Sequence, residues 1–281
     1  MMKLIFLHIP KAGGTTFHHI LERLYSNATI FDIKVRNQKL TLDEFTSLRE
    51  AERNRIDILK GHMPFGLHGY FSDNEPVKYI TFFRDPVDRI TSHYNYLLRK
   101  PQHYLFEKVK SGAMSLQDYA LSDISAELDN HMVRLLIEEN VPINGLTQAH
   151  FDKAVSNLER HFISFGLVEA FDKSLVLMKH ALGWKEYPYY VAMNTSAKEK
   201  NIPQPVRQAI AARNDWDVRL YAHVRNVFDR QVSRLENLEQ EVELIRVASQ
   251  AYVKGLETGK AQAAVQKPGT FKMIRKFLKR F

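Results

Sequence analysis

Cysteine is absent from all 281 residues of this chain. This absence excludes a disulfide framework and any thiolate metal site, and with them the small disulfide-rich secreted domains. Long apolar runs are also missing, since no stretch approaches the roughly 18 apolar residues that a membrane span needs. The N-terminal run Leu4-Ile5-Phe6-Leu7 is too short for the apolar region of a secretory signal. Together these absences predict a cytoplasmic protein.

Acidic residues are absent from the C-terminal segment 267–281, which carries six lysines and arginines. Subtracting these six charges from the formal net charge of +8 leaves +2 for the rest of the chain. Because the body is nearly balanced in charge, we expect no nucleic-acid partner. In the segment itself, apolar residues share one helical face and cations the other. This pattern fits three alternatives: peripheral contact with the inner face of the membrane, docking on an acidic protein surface, or a disordered tail.

Alternating β-rich and helical patterns indicate the fold class. Short apolar runs predict strands at 3–8, 57–62, 77–83 and 161–167. Helical spacing predicts helices at 15–25, 41–52, 87–98, 115–138 and 147–158. Strands that alternate with helices, with polar and glycine-containing loops after the strands, predict an α/β fold with a doubly wound parallel sheet. Ligands of such folds bind at the carboxyl ends of the strands.

The pattern changes after about residue 214 to that of one long helix, which predicts a C-terminal helical extension. We expect an α/β domain over 1–230, a long helix over 231–266 and the basic tail over 267–281. Apolar residues fall near heptad positions over two to three heptads, namely Phe228, Leu235, Leu238, Val242, Ile245 and Tyr252. This spacing fits two alternatives: a helix packed on its own domain, or the seam of a coiled-coil homodimer.

The first predicted strand ends in the loop His8-Ile9-Pro10-Lys11-Ala12-Gly13-Gly14-Thr15-Thr16-Phe17, which opens a helix. Glycines at a helix start let backbone N–H groups approach an anion, and the adjacent lysine and threonines add a positive charge and hydroxyl donors. The segment therefore predicts a P-loop-like phosphate site. Lysine precedes both glycines here, whereas it follows the second glycine in the Walker A pattern, so an ATP-type loop is disfavoured.

This ten-residue segment resembles the 5′-phosphosulfate-binding loop of the sulfotransferase superfamily, in the form found in heparan sulfate 2-O-sulfotransferases and related bacterial enzymes. The resemblance implies a transferase that uses 3′-phosphoadenosine 5′-phosphosulfate (PAPS), releases 3′-phosphoadenosine 5′-phosphate (PAP) and needs no metal. The loop residues that it implies as donor contacts are Pro10, Lys11, Ala12, Gly13, Gly14, Thr15, Thr16 and Phe17. We expect Lys11 also to stabilise the bridging oxygen as the S–O bond breaks.

A second motif follows the strand at 77–83, where Arg84-Asp85-Pro86 begins a helix and Ser92 lies two turns further on. By itself, Arg84 in such a helix start has the alternative of pairing with Asp85 or Asp88. The spacing of Arg84 and Ser92 is similar to that of the superfamily's 3′-phosphate motif. The resemblance therefore implies that these two side chains hold the 3′-phosphate of the donor, since arginine grips phosphate by bidentate hydrogen bonds.

A base is needed to deprotonate the acceptor hydroxyl, and His62 is the candidate. It follows the strand at 57–62 in the Pro/Gly loop Gly61-His62-Met63-Pro64-Phe65-Gly66, and its pKa range suits proton transfer at neutral pH. The heparan sulfate enzymes carry a Gly-His at this place as their base. Their second histidine stands two residues earlier, where this chain has Lys60, so a histidine pair is not predicted. The alternative is that His62 only caps its loop.

Two further sets of residues are predicted from position. Asn130 and Arg134 lie one helical turn apart in a segment similar to one of bacterial members, which makes them candidates for substrate binding. A solvent-facing arginine is the alternative for Arg134. Thr195, Ser196 and Lys198 resemble the superfamily's late loop, which closes over the donor.

The function predicted is sulfuryl transfer to a hydroxyl of a glycan, a glycolipid or a small-molecule acceptor. One alternative is a non-catalytic scaffold that keeps the nucleotide pocket, although His62 and Lys11 argue against it because such a protein needs neither. A second alternative is a P-loop-type kinase, which differs in its requirement for magnesium.

Overall fold

A computed structural model describes residues 2–36, 39–72, 76–191 and 202–257. The strands are β1 (Lys3–Leu7), β2 (Ile30–Ile33), β3 (Val35–Arg36), β4 (Lys39–Leu40), β5 (Ile58–Gly61), β6 (Val77–Phe83) and β7 (Phe162–Leu167). The helices are α1 (Gly14–Leu24), α2 (Leu42–Thr46), α3 (Glu50–Arg53), α4 (Pro86–Leu97), α5 (Leu116–Leu121), α6 (His131–Leu135), α7 (Gln148–His161), α8 (Phe171–Leu182), α9 (Gln204–Arg213), α10 (Asp215–Val232) and α11 (Leu238–Glu257).

Five parallel strands form the central sheet, in the order β2-β5-β1-β6-β7. The strands are apolar on both faces because helices cover both, and all five residues of β1 are buried. Strands β3 and β4 form a separate antiparallel hairpin. The predicted α/β fold with a parallel sheet is confirmed, and all four predicted strands are present.

The course of the chain through the sheet determines where a ligand can bind. From central β1 the chain passes to edge strand β2, returns to β5 beside β1, and then crosses to β6 and β7 on the other side. The order therefore reverses at β1, and the loops after β1, β5 and β6 meet at one edge of the sheet. Open α/β sheets bind their ligands at such a switch point.

Two hydrophobic clusters stabilise the described part of the chain. The larger surrounds the sheet and includes helices α1, α6, α7, α8, α10 and α11. The smaller joins α4, α5 and α9 around Ile90, Leu97, Tyr119 and Ile210, all of which are fully buried. Among the described residues, no helix has the length and apolar character that crossing a lipid bilayer requires.

The C-terminal part differs from the single long helix that the sequence predicts. Helices α10 and α11 are separated at residues 233–237, where Asn237 has a φ of 57°. The predicted boundary at 230 falls inside α10, and Val242 and Ile245 of α11 are fully buried in the larger cluster. The packing therefore favours the alternative of a helix on its own domain over a dimer seam. The basic tail 267–281 lies outside the described residues.

Candidate functional site

The loop between β1 and α1 has a backbone shaped by two residues with positive φ, Lys11 at 68° and Gly13 at 72°. Helix α1 begins at Gly14, and no side chain caps its N-terminus. The first turn of a helix leaves backbone N–H groups without intrahelical partners, and the helix dipole places positive potential there. The arrangement can therefore hold an anion at the start of α1.

Gly14 is required by its neighbour in space. A Cβ at this position would lie 1.8 Å from Nε2 of His8, so any side chain would displace the imidazole ring. At Gly13 a Cβ would lie 3.4 Å from Phe171 and from Val168, in addition to the strain of a positive φ. Gly14 is thus needed for the close approach of the His8 side chain, and Gly13 for a backbone conformation with positive φ.

Not every predicted loop contact faces the anion site. Ala12 is buried, and its N–H donates to the Ile9 carbonyl at 3.2 Å. Phe17 is fully buried, with its ring 4.8 Å from that of Phe6 and 4.9 Å from that of Phe82. The side chains of Ala12 and Phe17 therefore support the loop from the core, and the contact of these two residues with the donor stays a prediction. Pro10 and Lys11 are half-buried and Thr15 is exposed, and Thr16 is buried in the first turn of α1.

His62 follows β5 at the same sheet edge. Gly61 before it has a φ of 132°, and a Cβ there would lie 2.0 Å from the carbonyl oxygen of Ile33 on β2. His62 Nδ1 lies 3.1 Å from the carbonyl oxygen of His8, which can only accept, so Nδ1 carries the proton. Nε2 is left with its lone pair. Burial lowers the pKa of His62, so the imidazole is neutral at physiological pH and its Nε2 can accept a proton.

A second histidine accompanies His62, although the sequence does not predict one. The ring of His8 stacks on that of His62, with centroids 4.2 Å apart and planes at 26°. The pair is assembled from two strands, because β1 ends at Leu7 beside Gly61 of β5. His8 stands directly before the phosphate loop in the sequence, and this position was the available signal for it.

Lys11 lies in an environment that favours its neutral form more than water does. Burial lowers its pKa to about 8, the charges of Arg84 and Arg99 act in the same direction, and Glu127 opposes them. The ammonium lies 4.0 Å from the centroid of the Tyr96 ring, a cation–π contact. An anion bound at the loop would stabilise the charged form. Tyr96 and Glu127 are thus functional neighbours that sequence reasoning missed.

Arg84 connects the loop after β6 to the loop after β1. Its Nη1 donates to the carbonyl oxygen of Lys11 at 3.1 Å. Lys11 is one of the two loop residues with positive φ. Asp88 pairs with Arg207 at 3.3 Å instead, and Asp85 caps α4 by accepting from the Asp88 N–H at 3.0 Å. The alternative pairing of Arg84 with these carboxylates is therefore not observed. Ser92 lies half-buried on α4, two turns from the start of the helix.

Asn130 and Arg134, predicted as substrate contacts, both have hydrogen-bond partners within the protein. The Asn130 side chain donates to Asp129 at 2.9 Å and to the Arg213 carbonyl at 3.2 Å, and accepts from the Asp217 N–H at 3.1 Å. Arg134 donates to the carbonyl oxygens of Asp129 at 2.6 Å and of Pro142 at 2.8 Å, and also to the Asp129 carboxylate and the Val141 carbonyl. Both side chains join the segment around α6 to neighbouring segments.

The remaining predicted donor contacts, Thr195, Ser196 and Lys198, lie outside the described residues. Within the described ranges, no group of three or more histidine, aspartate or glutamate side chains is arranged to hold a metal ion. The site that the structure assembles therefore consists of the loop after β1, His62 with His8, and Arg84.

Comparisons with known proteins show what the chain is similar to. No curated protein matches the chain in a sequence search. Among solved structures, a sulfotransferase from Alicyclobacillus acidocaldarius is similar with a TM-score of 0.43 at 16% identity, covering 80% of this chain and 96% of that one. The mouse sulfotransferase SULT7A1 complexed with PAP has a TM-score of 0.34 at 14% identity, covering 75% of this chain and 63% of that one.

The sequence profile of a family described as galactose-3-O-sulfotransferase matches residues 1–269, nearly the whole chain. The prediction of a sulfotransferase is thereby confirmed. The loop motif resembles that of the heparan sulfate 2-O-sulfotransferases, whereas the profile that matches the chain is that of the galactose-3-O-sulfotransferases. This chain belongs to the galactose-3-O-sulfotransferase family.

Proposed function

We propose that this sulfotransferase moves the sulfuryl group of PAPS to a hydroxyl of a galactose-containing glycan or glycolipid. The family supports the acceptor class. The observation that carries the proposal concerns Nε2 of His62, which has no hydrogen-bond partner among the described residues. The bond from Nδ1 to the His8 carbonyl holds this ring beside the anion loop. A neutral base next to an anion site is what transfer to a hydroxyl requires.

The loop after β1 fits the 5′-phosphosulfate of the donor. Its backbone turns through the positive φ of Lys11 and Gly13, and Gly14 lets the His8 ring approach the start of α1. The N–H groups of the first turn, the Lys11 ammonium and the Thr15 hydroxyl would hold the anion there. Donor atoms on a fixed backbone stabilise developing negative charge without having to reorganise during the reaction.

Arg84 and Ser92 would hold the 3′-phosphate. One Nη of Arg84 is used on the Lys11 carbonyl, and within the described residues its other N–H groups have no hydrogen-bond partner. The guanidinium can therefore grip a phosphate while it fixes the loop. This double use would couple recognition of the 3′-phosphate to the shape of the 5′ site.

His62 and Lys11 would act on opposite sides of the transferred group. PAPS supplies a sulfuryl group on a phosphate leaving group. Nε2 of His62 would take the proton of the acceptor hydroxyl as that oxygen attacks sulfur. The ammonium of Lys11 would neutralise charge on the bridging oxygen, and its low pKa leaves it able to strengthen this hydrogen bond as charge develops.

The test uses radiolabelled PAPS and the full chain with a panel of galactosides, galactolipids, other hexosides and simple alcohols. We expect label on galactosides and, in His62→Ala, a loss of turnover of about 10²-fold to 10⁴-fold with PAP binding retained. His180→Ala, on exposed α8 surface, is the control and should keep wild-type turnover. Near-normal turnover in His62→Ala would remove this base from the mechanism. Label on simple alcohols alone would contradict the acceptor class.

A further inference from the structure

A buried lysine lies behind the two stacked histidines. The side chain of Lys60 on β5 is only 2% exposed, and its ammonium has three acceptors. Two are carboxylates, Glu22 at 2.9 Å and Asp32 at 3.2 Å, and the third is Nδ1 of His18 at 2.9 Å. An ammonium has three N–H donors and no acceptor, so all three are used. His18 Nδ1 is therefore the acceptor of its bond with the ammonium.

This bond fixes the protons of two imidazoles in sequence. Because His18 accepts at Nδ1, a neutral His18 carries its proton on Nε2, which lies 3.1 Å from Nδ1 of His8. His8 then accepts at Nδ1 and carries its own proton on Nε2. Burial lowers the pKa of His18 to about 4 and that of His8 well below its usual range, which keeps both rings neutral.

His8 and His62 consequently have opposite hydrogen-bonding characters. His62 is protonated on Nδ1 because that atom faces the His8 carbonyl, so its Nε2 is a base. His8 is protonated on Nε2, so its Nε2 is a donor. The two rings are stacked with centroids 4.2 Å apart. A hydrogen-bond donor and a proton acceptor therefore stand side by side.

The donor nitrogen of His8 lies at the start of α1. Its distance of 1.8 Å to a Cβ built on Gly14 places it against the first residue of the helix. Within the described residues no protein group accepts a hydrogen bond from it, and it is not among the fully enclosed atoms that lack a partner. The N–H is thus available to an anion bound at the same helix end.

We propose that His8 is a second catalytic residue, which donates its Nε2–H to an oxygen of the sulfuryl group, and that Lys60 and His18 are positioning residues that hold it in this tautomer. The inference rests on the proposed function. In the transfer, the acceptor oxygen forms a bond to sulfur, its proton goes to Nε2 of His62, and the bridging S–O bond breaks with its electron pair leaving on PAP. His8 donates a hydrogen bond throughout and keeps its proton.

Through His18, Lys60 also disfavours protonation of His8, the ring stacked on the base His62. Protonation of His8 would place a positive charge next to the imidazolium that forms at His62, and a charge on His62 lowers the pKa of His8. To be protonated, His8 would need its Nδ1 free, but this atom is occupied by the N–H of His18. The charge of Lys60, which faces Glu22 and Asp32, disfavours protonation of His18 in the same way. The charge of Lys11 lowers the pKa of both His8 and His62.

The direct test reads the tautomers of the full chain by NMR of ¹⁵N-labelled histidine, which needs no activity. We expect His8 protonated on Nε2 and His62 protonated on Nδ1 in the wild type. A His8 protonated on Nδ1 would overturn the inference, even if the enzyme transfers sulfate. Absence of transfer by a protein with the expected tautomers would instead count against the proposed function alone.

A matched pair of variants at His18 separates positioning from packing. In His18→Gln the amide oxygen can accept from Lys60 and the amide N–H can donate to His8, so we expect turnover within about threefold of the wild type. In His18→Leu the chain of bonds is broken, and turnover should fall by about tenfold or more with the Kd for PAP unchanged. Equal turnover in both variants, each folded by circular dichroism, would refute the role of His18.

Discussion

Binding of the donor should weaken steeply above pH 8, because the loop relies on a lysine with a lowered pKa. Burial brings the pKa of Lys11 to about 8, whereas a bound anion favours the charged form. The free protein is therefore about nine-tenths charged at Lys11 at pH 7 and about one-tenth charged at pH 9. If only the charged form binds well, the Kd for PAP rises about tenfold per pH unit above 8.

The sign follows from the direction of the shift. A lysine with a folded-state pKa below its usual value of 10.5 loses its proton earlier on raising the pH, so the protein must take up a proton when the anion binds above pH 8. Isothermal titration calorimetry between pH 7 and 9.5 at constant ionic strength measures both quantities. The Kd gives the slope, and titrations in buffers of different ionisation enthalpy give the proton uptake.

Lys11→Arg is the matched control, since the guanidinium stays charged over this range. It should bind PAP with a Kd that is nearly independent of pH from 7 to 9.5. The reasoning is refuted if the wild type gives an equally flat profile, or if the arginine variant shows the same rise. In the second case another group controls the titration, and the assignment to Lys11 fails.

Two further predictions concern the architecture around the site. Gly61→Ala should lower the free energy of unfolding by about 3 kcal/mol or more in urea denaturation, because φ is 132° and the new Cβ would meet the β2 backbone at 2.0 Å; an unchanged midpoint contradicts this packing. Ile245→Ala should cost about 2 to 5 kcal/mol because the side chain is fully buried, whereas Val247→Ala, 39% exposed, should change stability by about 0.5 kcal/mol or less. Equal effects of the two substitutions would mean that α11 does not pack on the domain.

The strand and loop pattern was predictable because local sequence determines it. Each predicted strand is an apolar run followed by a polar or glycine-containing turn, and parallel strands bring such turns to one edge. Helix α8 and strand β2 were not predicted, and the helix expected over 115–138 is divided into α5, α6 and an intervening 3₁₀ turn. Helical spacing continues through the break, where Asn130 has a φ of 49°, so periodicity did not reveal it.

The break between α10 and α11 shows a similar limit. The heptad positions were read correctly as apolar, and Phe228, Val242 and Ile245 are buried. Neither glycine nor proline marks residues 233–237, and the turn there depends on Asn237 in the left-handed region. Burial of a stripe does not say whether the partner is a second copy or the chain's own α8. That choice is a matter of tertiary packing.

Arg134 illustrates how the spacing of a side chain leaves its hydrogen-bond partners undetermined. It lies four residues after Asn130, the N-cap of α6, whose carbonyl oxygen accepts from the Arg134 N–H at 3.1 Å. Its side chain donates to the carbonyl oxygens of Asp129 and Pro142. Sequence patterns do not predict such backbone acceptors across a loop. The spacing of a residue indicates which other residues lie on the same helix face. Its contacts in the folded protein decide whether any of its N–H groups remain for a substrate.

The pairing of His8 with His62 was not predicted, because it depends on the register between two strands. The same register explains where Lys60 lies. The register Leu7↔Gly61 places His8 beside His62 and Phe6 beside Lys60 on one face of the sheet, since side chains alternate between faces. A second histidine two residues before His62 would share that face but would lie deeper under α1, where Lys60 contacts His18. In this chain the partner of His62 therefore comes from the neighbouring strand. The heparan sulfate enzymes have a histidine where this chain has Lys60. Here Lys60 contacts His18, and His18 in turn contacts His8, the partner of His62.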